Sequence, residues 1–135
     1  IQTSLVGSEM CIRDRSYFDK VQRMRKIGGM ISDELLISKE KVELLASICK
    51  TDLTSDLVGE FPELQGLMGG YFSEYQGFDK DISLAISEQY LPIGLNSIVP
   101  KKPFSVTLSI TDKIDTLVGF LVLMRNLQVQ RIHLL

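Results

Sequence analysis

From Tyr17 to Leu36 the apolar residues Phe18, Val21, Met24, Ile27, Ile31 and Leu35 recur every three or four positions. That spacing predicts one face of an amphipathic helix. Gly28 and Gly29 interrupt it, which predicts a bend or a close helix crossing there. Ser38 is placed to cap a second helix, with Glu40 in its first turn. This helix is expected to bury Val42, Leu45, Ala46, Cys49 and Leu53, and to end or break at Gly59 and Pro62. A third helix is expected from Pro62 to about Gln76, where Gly66, Gly69 and Gly70 leave room for a neighbouring backbone. A fourth follows Asp79, with Ile82, Ala85, Ile86 and Gln89 on adjacent turns, and stops before Pro92. Breakers then cluster at Pro92, Gly94, Asn96, Pro100 and Pro103, and Pro103 opens a last helix. Its apolar face is expected to include Ile110, Ile114, Leu117, Val118 and Leu121. Strand-like alternation is absent over any useful length, so the pattern predicts an all-α, bundle-like single domain.

The ends depart from this pattern. Ile1–Arg15 shows neither helical nor strand periodicity, and its Ser4–Arg15 part looks like a translated sequencing adaptor. These residues are read as a non-native leader and set aside. Residues 16–121 are the expected domain, and 122–135 form a mixed apolar and basic tail carrying Arg125, Arg131 and His133, the only histidine.

Composition narrows the chemistry. The 135 residues are 44% hydrophobic and 24% charged, ordinary for a globular domain, and no apolar run approaches a membrane span. Net charge is −2, and between Ser16 and Gly119 there are 11 Lys and Arg against 15 Asp and Glu. RNA contact would therefore need a local patch. Cys11 and Cys49 have no paired or metal-like spacing, which fits a reducing cytoplasm. Cys49 falls on an apolar face and reads as core. Before the tail there is no histidine to hold an ion, and no phosphate-cradling glycine loop occurs. Two aspartates border the expected core, Asp52 and Asp112, and the residues alone make each a hydrogen-bonded structural anchor. Lys101 and Lys102 form the one small basic spot in an expected surface loop. A solvated pair is the default reading there, and a phosphate contact the alternative.

Sequence order adds more. The run Thr51–Gly69, containing Phe61-Pro62 and Gly59, Gly66 and Gly69, closely resembles a motif of the glycyl-tRNA synthetase β subunit family. Glu88–Pro92 and Thr111–Gly119 resemble later segments of that family in the same order, and Asp19–Cys49 is similar in length and pattern to its preceding helices. The resemblance covers roughly Ser16–Gly119 and makes the chain an internal fragment of a larger multidomain subunit. It implies an HD-like helical domain, without catalytic residues of its own, in a cytoplasmic ligase joining glycine to tRNA(Gly). The whole enzyme would use ATP and Mg, with an α subunit forming the adenylate and the β subunit placing the tRNA. No cofactor is expected in this fragment, and no membrane. Lys101 and Lys102 are then the tRNA-contact candidates. Cys49-Lys50-Thr51-Asp52 stands where an HD domain would have its His-Asp pair, leaving Asp52 and Asp112 as HD remnants. The alternative is a degenerate HD-superfamily metal-dependent phosphohydrolase. The family's next segment is expected to read Glu-Lys-Pro-Thr-Gly-Ser-Lys-Asp-Pro-Phe-Ala. One back-translation of Met124–Leu135 encodes that run when read two bases later, so a frameshift near Phe120–Leu123 is expected.

Overall fold

A computed structural model describes residues 8–133, with side chains over residues 17–131. It contains six α-helices and two 3-10 turns among the described residues, with no strand. The helices are α1 (Ser8–Leu35), α2 (Lys39–Ile48), α3 (Asp56–Glu60), α4 (Leu67–Tyr75), α5 (Lys80–Glu88) and α6 (Pro103–His133). The fold is all-α, as the periodicity predicts. No helix among the described residues is long and apolar enough to cross a membrane. Residues 1–7 of the expected leader lie outside the described residues; Ser8–Arg15, expected to be aperiodic, continue α1.

Helix α1 ends where Leu36 takes φ +55° and Ile37 N–H reaches back to Ser32 O at 3.1 Å. This is a left-handed helix stop built on a residue with a side chain. Helix α2 then begins as expected, with Ser38 accepting from Lys41 N–H. The crossing of α1 and α2 is close because Gly28 lacks a side chain; a Cβ there would lie 2.9 Å from Val42 Cγ1.

Three boundaries differ from the sequence expectation. Helix α2 stops at Ile48 rather than continuing to Leu53, which is only half-buried. Thr51–Thr54 forms a 3-10 turn that swings Asp52 inward, and α3 forms as a separate short helix after Ser55 caps it. The expected helix from Pro62 is split into a 3-10 turn (Pro62–Leu64) and α4. The split occurs at Gly66, whose φ of +82° no ordinary helix residue adopts. Its N–H goes to Asp52 Oδ2 at 2.6 Å instead of into a helical ladder.

Met24, Leu45, Ala46, Cys49, Ile82, Ala85, Ile86 and Leu108 form the buried apolar centre, drawn from α1, α2, α5 and α6. Helices α4 and α5 approach closely: Gly69 faces Ile86 Cγ2, and Ser73 Oγ meets Ser83 Oγ at 2.9 Å. The largest correction concerns α6. Its expected inward face, Ile110, Ile114, Leu117, Val118 and Leu121, is exposed. The inward side carries Ser105, Thr107, Leu108, Ser109, Thr111, Asp112 and Asp115 instead. On α1, Phe18 and Leu35 of the expected apolar face are likewise exposed.

Candidate functional site

The two aspartates on the polar side of α6 are faced by cations from α1 and from the end of α2. Helix α2 stops at Ile48, two residues before Lys50, which directs the lysine side chain across the core toward α6. Lys50 Nζ donates to Gln89 Oε1 at 2.9 Å and Tyr90 Oη at 2.8 Å, and lies 4.2 Å from the Tyr90 ring centre. It also stands 3.0 Å from Asp112 Oδ1, with the two side chains 6% and 11% exposed. Burial opposes the charge on Lys50, but Asp112 and the other neighbours outweigh it and raise the pKa above its ordinary value. Gln89 is fully buried; its amide donates to Cys49 O and Ile86 O, so it joins the end of α2 to α5.

Helix α1 completes the cluster. Lys20 Nζ reaches Asp112 Oδ1 and Asp115 Oδ2, each at 3.2 Å. Arg23 Nε donates to Asp115 Oδ1 at 2.6 Å and its Nη2 to Oδ2 at 3.2 Å. That two-pronged contact holds Arg where a lysine could not grip both oxygens. Burial would raise the Asp115 carboxyl, yet the hydrogen bonds from Arg23 and Lys20 hold it below its ordinary value. The result is a chain of two carboxylates and three cations linking α1, the end of α2, and α6.

Asp52 and Asp112 therefore serve different partners. Asp112 faces Lys50 and Lys20. Asp52, 2% exposed, caps the Gly66 turn through Oδ2, while its Oδ1 takes no hydrogen bond from the described residues. Gly69 makes room for that carboxylate; a Cβ there would lie 3.2 Å from Asp52 Cγ. Among the described residues no three His, Cys, Asp or Glu lie close enough to hold a metal ion. The cluster does not suit a divalent cation, because two ammonium groups already occupy the approach to Asp112 Oδ1. Nothing in this geometry favours a metal-dependent hydrolase. Cys49 is buried beside this centre, and burial pushes its thiol up to about 12, which makes it inert packing.

Lys101 and Lys102 lie apart from this centre, on the exposed approach to α6. Lys102 Nζ is 3.2 Å from Asp81 Oδ1, an exposed pair. Lys113, next to Asp112 in the chain, has a definite task. Its Nζ donates to Leu91 O at 2.9 Å and to Ser109 Oγ at 3.1 Å, and Ser109 Oγ also donates to Leu91 O. These bonds tie the breaker-rich loop to α6. Lys20, Arg23 and Lys50 were missed as members of the cluster. No sequence signal pairs them with Asp112 and Asp115, because the register between helices is not readable from the chain.

A family model described as glycyl-tRNA synthetase beta subunit matches residues 15–126. The glycine–tRNA ligase beta subunit of Thermodesulfovibrio yellowstonii is 42% identical over 106 residues, covering 78% of this chain and 16% of that protein. The glycine–tRNA ligase beta subunit of Solidesulfovibrio magneticus is 46% identical over 105 residues, covering 75% of this chain and 15% of that protein. The Acidithiobacillus ferrooxidans protein of the same name is 39% identical over 105 residues, covering 78% and 15%. The chain thus spans about 16% of the length of the curated relatives it matches.

Proposed function

Because the chain belongs to the glycyl-tRNA synthetase beta subunit family, we propose that it is a non-catalytic, tRNA-positioning part of a glycine–tRNA ligase. The observation that carries this reading is the family match over residues 15–126. In the assembled enzyme an α subunit forms the glycyl-adenylate from glycine and ATP, with magnesium, and the subunit containing this chain holds tRNA(Gly). Placement of the acceptor end lowers the entropic part of the transfer barrier. The enzyme works in the cytoplasm.

The geometry supports a placing role. A helical body needs a fixed shape to position an RNA, and the Lys50–Asp112 and Arg23–Asp115 contacts fix three segments against one another. Lys20, Arg23 and Lys50 are engaged internally and the net charge is −2, so this chain alone binds RNA weakly and with strong dependence on salt. Lys101, exposed next to Lys102, is the surface candidate for a phosphate contact.

The test is aminoacylation by the full-length subunit carrying this sequence, mixed with its α subunit. Omitting the β subunit should abolish glycyl-tRNA formation while ATP–pyrophosphate exchange with glycine continues. Charging that proceeds undiminished without it would overturn the proposal. The same reading takes residues 122–135 as out of frame. It is supported by the back-translation and by the exposed side chains from Leu117 to Arg131. Source DNA sequence across codons 118–126 tests it, and an intact frame there would end it.

A further inference from the structure

A cavity of about 260 Å3 lies where the 3-10 turn Thr51–Thr54 meets α4 and α5. Asp52, Thr54, Ser55 and Ser73 give it polar lining, and Phe72 and Phe78 give it aromatic lining. Asp52 is the one acidic lining residue, and no lining residue is basic. Its carboxylate is buried; Oδ2 takes the Gly66 N–H, while Oδ1 has no hydrogen-bond partner among the described residues. None of the ion pairs among those residues includes Asp52. The 29 residues between Lys50 and Lys80 contain no Lys or Arg to serve it. A buried carboxylate with one bare oxygen is unfavourable unless a donor reaches it. The fold nevertheless keeps room for the group, since a Cβ at Gly69 would crowd Asp52 Cγ and Oδ2 at 3.2 Å.

We propose that this cavity receives the guanidinium of an arginine side chain from a part of the same subunit lying outside this chain. The bare Oδ1 calls for a cationic donor, because a charge-assisted bond offsets the burial of a carboxylate. Phe72 and Phe78 favour guanidinium over ammonium, since the planar cation is weakly hydrated and packs against aromatic rings. The volume is several times the roughly 30 Å3 that one water takes, so a long side chain fits. A single carboxylate holds a free small cation only at about millimolar concentration or above, whereas a group on the same polypeptide is presented at about that effective concentration permanently. The chain spans about 16% of the length of its relatives, so most of such a subunit remains to carry the arginine. The inference rests on the proposed function only in placing the chain within a longer subunit.

A cryo-EM map of the full-length subunit carrying this sequence, assembled with its α subunit, tests it. The expected result is an arginine of the same polypeptide, from outside this chain, with a guanidinium nitrogen in hydrogen-bond distance of Asp52 Oδ1. Water alone at Oδ1, a different side chain there, or an arginine of the α subunit would overturn it. Asp52→Asn keeps an oxygen for the Gly66 N–H but removes the charge, and replacing the located arginine by glutamine removes the partner. Each should lower the melting temperature of the assembly, and the double variant should melt no lower than the weaker single one. Losses that add, or an Asp52→Asn variant melting at or above the parent, would also defeat the pairing. Glycyl-tRNA formation is read on the same preparation. Charging with no arginine at Asp52 defeats this inference alone; the contact in an assembly whose charging survives omission of the subunit defeats the functional proposal alone.

Discussion

Lys50 Nζ stands 3.0 Å from Asp112 Oδ1, and the two side chains are almost closed off from solvent. The lysine cannot be removed alone without leaving a carboxylate inside the protein, held among the described residues only by Lys20. Lys50→Met should therefore destabilise the chain by about 2–4 kcal/mol, below or within the usual range for breaking a buried pair. Adding Asp112→Leu should recover part of that loss. Urea unfolding of the parent, single and double variants checks this. Equal midpoints for the parent and the single variant would show that the pair is idle.

Acid should reach the structure through Asp115. Its pKa is depressed in the folded chain from an ordinary 3.8, so its contribution is complete above that value and is lost as pH falls through the lower folded value. Asp115→Asn should flatten the fall in stability as pH drops below 3.8 and lower stability at neutral pH. Lys50 runs the other way. With its folded pKa raised above 10.5, its contribution is complete below that value and disappears as pH rises through the folded one. An Asp115→Asn variant whose acid limb matches the parent would contradict the first assignment.

Glycines on α3 and α4 should respond in opposite senses. A Cβ at Gly70 would stand 1.9 Å from Ser87 Oγ and 2.9 Å from the Ser83 carbonyl oxygen. Gly70→Ala should cost about 1–3 kcal/mol, and Ser87→Ala should rescue it only partly, because the backbone contact persists. At Gly59 nothing lies within 4 Å, and the residue is helical. Gly59→Ala should be neutral or stabilising by up to about 1 kcal/mol. Thermal unfolding of the two variants side by side gives the comparison.

Leu36 offers a stabilising change. It holds a left-handed conformation at the end of α1 while its side chain is fully in solvent. Leu36→Gly should raise stability by about 0.5–1 kcal/mol, the relieved backbone strain exceeding the extra freedom of the unfolded chain. A lower melting temperature for this variant would mean the side chain packs on something outside the described chain.

Ser38 and Ser55 should each matter by about 1 kcal/mol, since each accepts a backbone N–H in the first turn of its helix. Hydrogen exchange at Lys41 and Val58 should accelerate in Ser38→Ala and Ser55→Ala respectively, with little change elsewhere. Uniform acceleration across α5 would instead indicate global loosening.

Local physics made much of this legible from the chain alone. The period of Val42, Leu45, Ala46 and Cys49, and that of Ile82, Ala85, Ile86 and Gln89, located α2 and α5 and their buried faces. Ser38 as a cap, Pro103 as a helix start and the small residues Gly69 and Gly70 as a place of close approach needed only neighbouring residues to be read. The order of the Thr51–Gly69 motif fixed the family.

Pairings between distant segments were beyond that reach. Hydrophobic period turned α6 toward Ile110, Ile114 and Leu117, whereas the fold turned it toward Asp112 and Asp115. A buried carboxylate is unfavourable in isolation, and local pattern cannot show that Lys20, Arg23 and Lys50 will stand opposite it. Arg23 and Asp115 are 92 positions apart, and only the packing of α1 on α6 brings them together. Helix formation is settled within a few residues by backbone hydrogen bonds. Which face is buried depends on the charges that the other helices present.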